Sequence, residues 1–161
     1  MIRYTHFDSP LGRMRIASRD GAVFAIGFPG QKHDVERKND WRRDDDAPEL
    51  ADARAQLAEY FAGKRRDFEL PLAPVGSDFQ QRVWRALLRV GYGRTSTYGT
   101  LARTLTQPTA ARAVGAAVGR NPIAIVVPCH RIIGADGSLT GYAGGLDRKT
   151  RLLALEGILL A

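Results

Sequence analysis

Tyr98-Gly99-Thr100-Leu101-Ala102-Arg103-Thr104-Leu105-Thr106-Gln107-Pro108-Thr109-Ala110-Ala111-Arg112-Ala113-Val114-Gly115-Ala116-Ala117-Val118-Gly119 carries two helical patterns about one turn. Tyr98, Leu101, Ala102 and Leu105 repeat at i, i+3, i+4 and i+7, which predicts a short amphipathic helix. Gln107-Pro108-Thr109 reads as the turn, with Thr109 as N-cap of a helix from Ala110 to about Gly119. Two short helices about a tight turn are the pattern of a helix-turn-helix. In the second helix Ala110, Val114, Ala117 and Val118 form the inward stripe, and Arg112, Gly115, Ala116 and Gly119 face the other way. A reader of base edges in the major groove carries long polar side chains. Small residues suit either a helix pressed into a narrow minor groove or tight helix–helix packing.

Upstream, Ser77-Asp78-Phe79-Gln80 is a capping-box pattern. Phe79, Val83, Leu87 and Val90 then line one helical face, which Gly91 and Gly93 end. The N-terminal part reads differently. Met14, Ile16, Val23, Phe24, Ile26 and Phe28 suggest a hairpin turning at Asp20-Gly21. Residues 29–46 are polar and charged and predict a long exposed loop. Apolar positions 50, 53, 57, 60 and 61 give a helix over Pro48–Phe61. Phe68-Glu69-Leu70 predicts a short strand before a linker from Pro71 to Gly76. The fold class is therefore α+β, with a small α/β domain over 1–75 and a mostly helical domain over 76–161.

Downstream, the apolar run Ile123-Ala124-Ile125-Val126-Val127 predicts a buried strand leading into Pro128-Cys129-His130-Arg131. Cys129 is the only cysteine, and a histidine follows it. A lone intracellular cysteine is commonly a small buried hydrophobe. Here the preceding proline restrains the backbone, and glycine-rich sequence follows at Gly134–Gly137 and Gly141–Gly145, which favours a nucleophile beside a ligand site. The last helix runs from an N-cap at Asp147 to just before Gly157, a C′ glycine. Glu156 then sits at a helix C-terminus, where the macrodipole disfavours a carboxylate, so a specific partner is expected; His130 is the candidate.

Length and composition set outer limits. The 161 residues, 44% hydrophobic and 25% charged, suit an ordinary globular chain with one sizeable core or two small domains. One cysteine excludes an intramolecular disulfide and any zinc site needing two cysteines. Met1-Ile2-Arg3-Tyr4 shows no signal-peptide pattern, and no apolar stretch matches a membrane span, so a reducing cytoplasm is the expected location. The net charge of +7 is uneven. Residues 1–75 balance 13 basic against 13 acidic side chains, whereas 76–161 carry 11 and 4. No acidic residue occurs between Phe79 and Ala135, and all eight basic ones there are arginine: Arg82, Arg85, Arg89, Arg94, Arg103, Arg112, Arg120 and Arg131. A surface of one sign attracts a polyanion, nucleic acid foremost.

These residues together resemble the 6-O-alkylguanine-DNA alkyltransferases, the methylated-DNA–protein-cysteine methyltransferases. Ile125-Val126-Val127-Pro128-Cys129-His130-Arg131 carries the likeness. Ala111–Gly115, Asn121-Pro122, Gly141–Leu146, Thr97–Ala102 and Phe79–Trp84 reinforce it, covering about residues 77–157; Asp8–Gly12 is a weaker match. The resemblance implies a ribonuclease-H-like N-terminal domain and a winged-helix-like C-terminal one. It implies a single-use repair protein that binds duplex DNA carrying alkylated guanine, flips the damaged base and keeps the alkyl group on Cys129. No cofactor and no metal are implied. The protein is expected to be a monomer in solution, associated with the nucleoid when on DNA, with cooperative binding left open.

By the same resemblance, His130 takes the Cys129 proton through a water and Glu156 stabilises the imidazolium, while Asn121 positions the network. Tyr98 protonates a guanine ring nitrogen, the Ala143 N–H bonds the guanine oxygen, and carbonyls near Cys129 and Ile132 accept the exocyclic amine. Arg112 fills the gap left by the flipped base. Ala110, Ala111, Gly115 and Arg120 complete the DNA-contacting helix. Some relatives bind zinc through N-terminal cysteines that this chain lacks; a sensory domain fused in one bacterial relative has no counterpart here, so no transcriptional role is expected. Two other readings stand beside this one: a cysteine hydrolase, and a DNA-binding module in which Cys129 is inert. Neighbouring side chains on a strand point to opposite faces, so a direct Cys129–His130 contact does not follow from adjacency.

Overall fold

In the computed structural model, which describes residues 1–28, 30–106 and 110–158, the chain opens on three antiparallel strands: Ile2–Ser9 (β1), Gly12–Arg19 (β2) and Ala22–Gly27 (β3). Asp20 and Gly21 both take positive φ (51° and 80°), the backbone of a two-residue turn whose twist matches its strands. Arg42–Arg43 (β4) adds to the β1 edge in parallel, giving the order β3-β2-β1-β4. Pro48–Phe61 (α1) has proline in its first turn, where the missing N–H costs nothing. Its Leu50, Ala53, Leu57 and Tyr60 pack with Met14, Ile16, Val23 and Ile26 in the main core.

Two expectations for this half need correction. Residues 29–46 are not all exposed loop: Trp41 is buried and meets the Phe24 ring edge-on at 5.6 Å, which covers the other sheet face and brings β4 to its edge. Phe68–Leu70 is no strand. The Gln56 side-chain amide takes both backbone groups of Glu69, at 3.0 and 2.8 Å, so sheet pairing waits until Leu72, which bridges Val23.

In the second half, Asp78–Leu87 (α2) starts at the expected capping box: Gln80 N–H donates to Ser77 Oγ (3.1 Å), and Ser77 N–H to Gln80 Oε1 (2.9 Å). Ser96–Thr97 (β5) leads into Tyr98–Thr104 (α3), capped by Thr97, and Ala111–Gly119 (α4) follows. The expected turn and its N-cap, Thr109, lie outside the described residues; Ala110 precedes α4 and offers no capping side chain. Trp84 Nε1–H donates to Ala117 O at 2.9 Å and ties α4 to α2. Ile132–Ile133 (β6) pairs in parallel with β5. Leu146–Leu155 (α5) begins just after Gly145, so Asp147 is inside the first turn rather than at the N-cap. At its other end Gly157 takes φ 87° and donates to Ala154 O while Ile158 donates to Leu153 O, a complete Schellman motif.

Ile123–Val127 is buried as expected but is not a strand. Ile123 makes a single bridge to Ile26, after which the chain turns on itself: Val126 N–H donates to Ala124 O, Val127 N–H to Ile123 O, and Ile125 takes φ 72°. The apolar run carried no period to distinguish a strand from a buried turn. Ala124 N–H also donates to Ile26 O, and Ile26 N–H to Pro122 O, so β3 of the first half grips the segment leading to Cys129. One continuous core runs through both halves. Among the described residues no helix is long and apolar enough to cross a membrane.

Candidate active site

Cys129, His130 and Arg131 form one turn of 3-10 helix immediately after the buried turn. Asn121 fixes that approach: its Nδ2 donates to Val127 O at 2.8 Å and Ile123 O at 3.3 Å, and its Oδ1 accepts from Ile123 N–H at 3.0 Å. A buried amide bonding to both ends of a turn locks its shape. Because the residues lie on a tight turn, strand alternation does not govern the Cys129 and His130 side chains. Cys129 is buried, and burial pushes its thiol above the ordinary value; the nearby Asn121 amide and Lys149 ammonium pull the other way. A thiol held protonated in this manner needs a base before it can attack.

The fold brings His130 and Glu156 together. His130 Nε2 lies 2.7 Å from Glu156 Oε2, and neither side chain reaches solvent. The carboxylate has further donors that the sequence reading missed. Arg131 donates through Nε to Oε1 (2.8 Å) and through a terminal nitrogen to Oε2 (3.1 Å), Gly93 N–H donates to Oε1 (3.1 Å), and Tyr60 Oη–H donates to Oε2 (2.6 Å). Burial alone would raise the Glu156 carboxyl, but the bonds from His130, Arg131 and Tyr60 outweigh it and hold it down at about 2. Burial lowers His130 from its ordinary value, and Arg131 adds to that, against the pull of Glu156. Arg131 is thus no part of the polyanion-attracting surface: it is buried against Glu156. His130 Nδ1 is buried with no hydrogen-bond partner among the described residues, which makes it the ring nitrogen available for proton exchange.

A cavity of about 470 Å³ is lined by residues of both halves, among them Tyr98, Gly115, Arg120, Tyr142, Ala143 and, from the N-terminal part, Lys32. Tyr98 and Thr140 hydroxyls sit 2.7 Å apart at its edge. Lys32 N–H donates to Ala143 O (3.0 Å), while the Ala143 N–H has no partner among the described residues. Cys129 is not among the lining residues. Tyr142 spans the two: it lines the cavity, and its buried phenol is raised first by desolvation and then by the Cys129 charge.

Ile132, expected to offer its carbonyl to the base, lies on β6. It is fully buried, away from the cavity lining, and its carbonyl accepts from Lys149 Nζ at 2.5 Å. Lys149 also reaches Thr140 O at 3.3 Å; burial lowers its ammonium to about 8. Of the expected DNA-contacting residues, Gly115 and Arg120 line the cavity, Ala111 and Arg112 are exposed on α4, and Ala110 is half-buried. Arg85, Arg89, Arg94 and Arg103 are also exposed, while Arg82 is half-buried and donates to Leu105 O. Tyr60 and Lys149 gave no local signal: one reads as a core aromatic, the other as a helix-surface cation.

Residues 78–158 match the family model described as 6-O-methylguanine DNA methyltransferase, DNA binding domain, and residues 2–74 match its ribonuclease-like domain. A methylated-DNA–protein-cysteine methyltransferase of Mycolicibacterium paratuberculosis is 51% identical, over 97% of this chain and 93% of that protein. One of Methanosarcina acetivorans is 46% identical, over 96% and 97%. A crystal structure of Mycobacterium tuberculosis OGT in complex with DNA superposes with TM-score 0.89 at 46% identity, covering 96% of this chain and 92% of that one. An α+β fold with a ribonuclease-like first part and a DNA-binding second part, matched along nearly its whole length, places the chain in the 6-O-methylguanine DNA methyltransferase family.

Proposed function

We propose that this protein repairs duplex DNA by moving an alkyl group from the 6-oxygen of guanine to its own Cys129, once per molecule. The observation that carries the reading is the buried His130–Glu156 pair next to a thiol that burial keeps protonated. His130 removes the thiol proton through a water at Nδ1. The thiolate attacks the alkyl carbon, forming the S–C bond as the C–O bond breaks. Glu156 balances the imidazolium, and Asn121 holds the turn. The departing guanine takes a proton from Tyr98, which recovers it from solvent, and the Ala143 N–H bonds the guanine oxygen. Because Cys129 is buried in the protein, the base must leave the stack to reach it; Arg112, exposed on α4, fills its place. Ala110, Ala111, Gly115 and Arg120 follow the duplex on the same helix. The thioether has no leaving path, so the protein acts as reagent rather than recycling catalyst.

We assign 1–75 to the ribonuclease-like unit and 76–161 to the reacting and DNA-binding unit, and read the working form as a monomer acting at cytoplasmic DNA. The test is transfer of a radiolabelled methyl from a methylguanine duplex. One equivalent on Cys129, then arrest, is the expected result, and Cys129→Ser should bind DNA without taking label. DNA binding with no label would leave a damage-recognition module, and continued turnover without bound label would indicate a hydrolase.

A further inference from the structure

Tyr60 belongs to the last turn of α1, in the N-terminal half, yet its hydroxyl reaches the same carboxylate oxygen that faces His130. The two contacts, 2.6 Å from Tyr60 and 2.7 Å from His130, therefore compete for the electron density of Glu156 Oε2. The ring packs against Phe61, Phe68 and Tyr92, with centroids 5.3, 5.5 and 6.2 Å away. Phenylalanine would serve that packing as well. A hydroxyl fully removed from water costs free energy unless it is bonded, and its one partner among the described residues is Glu156. The polar end is thus matched to the carboxylate rather than to the core.

We propose that Tyr60 is a positioning residue of the ribonuclease-like half that sets the base strength of His130 through Glu156. This rests on the reading of Cys129, His130 and Glu156 as the reacting group. With Tyr60 and Arg131 both donating to it, the carboxylate is a weaker acceptor toward His130. It orients the imidazole without binding its proton so tightly that the ring rests as imidazolium, the form unable to accept the Cys129 proton. The hydrogen bond also fixes the carboxylate plane from a helix that belongs to the other half of the chain. This gives the N-terminal part a direct part in the chemistry, across 96 residues of sequence.

The experiment compares wild type, Tyr60→Phe and Leu57→Ala. Leu57 is fully buried on the same helix and has no hydrogen-bonding group to offer Glu156, and it controls for lost stability. Single-turnover methyl transfer from a methylguanine duplex is followed from pH 5 to 9. Tyr60→Phe should still take one equivalent of methyl, with the acid limb of its rate moved up by about half a pH unit. Leu57→Ala should melt earlier with its limb unmoved. In parallel, NMR titration of the histidines, of which the chain has three, should show His130 protonating at higher pH in Tyr60→Phe. Site-specific 3-fluorotyrosine at 60, a stronger donor of the same shape, should move both readouts the opposite way and covers a Phe variant that fails to fold. Unmoved limb and unmoved His130 titration would overturn the proposal and leave Tyr60 a packing residue. If wild type takes no label while the His130 titration still shifts, the link to Glu156 stands and the transferase reading alone falls.

Discussion

His130 Nε2 and Glu156 Oε2 lie 2.7 Å apart, shielded from solvent, although 26 residues of chain separate them. The intervening segment contains Gly141, Tyr142 and Ala143 of the cavity lining and all of α5. The carboxylate at the end of α5, where the helix dipole opposes it, is tolerated because Arg131 places a guanidinium on it and the Gly93 amide points at it. Stability therefore depends on this one group, and so, in the proposed mechanism, does reactivity.

Glu156→Gln keeps the shape and removes the charge. Arg131 is then left buried without its anion, and one amide proton faces a donor. Unfolding in denaturant should show a loss of about 3 kcal/mol or more, the scale of breaking a buried ion pair. Methyl transfer at neutral pH should fall at least about tenfold through loss of imidazolium stabilisation. Wild-type stability in the variant would mean that the pair is not coupled to folding.

Acidification should destabilise the fold in two steps. The native state holds His130 below its ordinary value, so the unfolded chain binds that proton more readily, and stability falls as pH drops through about 6.5. Glu156 is held at about 2 against an ordinary 4.5, so its contribution is complete above 4.5 and lost as pH falls toward 2. Melting temperature against pH reads both. His130→Gln should shrink the first step, leaving the share of His6, which burial also lowers.

Arg112 is exposed on α4, outside the cavity lining. An intercalating role is needed only when a base leaves a duplex. Arg112→Ala should slow transfer from a methylguanine duplex by about tenfold or more, the cost of a few kcal/mol of unstacking left unsupported. Transfer from free benzylated guanine should stay near wild type. Equal losses on both substrates would assign Arg112 to the pocket instead.

Gly144 follows Ala143, which lines the cavity. A Cβ there would come within 2.7 Å of the Tyr142 ring and 3.2 Å of Phe28, whose ring is covered by the Arg148 guanidinium at 4.4 Å. Gly144→Ala should cost about 1–3 kcal/mol through overpacking. Displacement of Tyr142 should also slow benzyl transfer more than methyl transfer. Denaturant unfolding and paired single-turnover rates check the two effects.

Where neighbouring residues supply the physics, the sequence alone determined the structure. Asp20-Gly21 makes its turn because both positions tolerate positive φ, and Ser77 with Gln80 closes a capping box across three residues. Gly157 ends α5 for want of a Cβ, and Glu156 announced a partner because a helix C-terminus repels it. Tertiary structure decided the rest. The run Ile123–Val127 became a turn because Asn121 and Ile26 bind its backbone, and no apolar period encodes that. Arg131 reads as surface charge and Tyr60 as core until Glu156 meets both. A local pattern reports the energy of a local contact; the worth of Tyr60, Arg131 and Lys149 lies in partners that only the folded chain brings within hydrogen-bond reach.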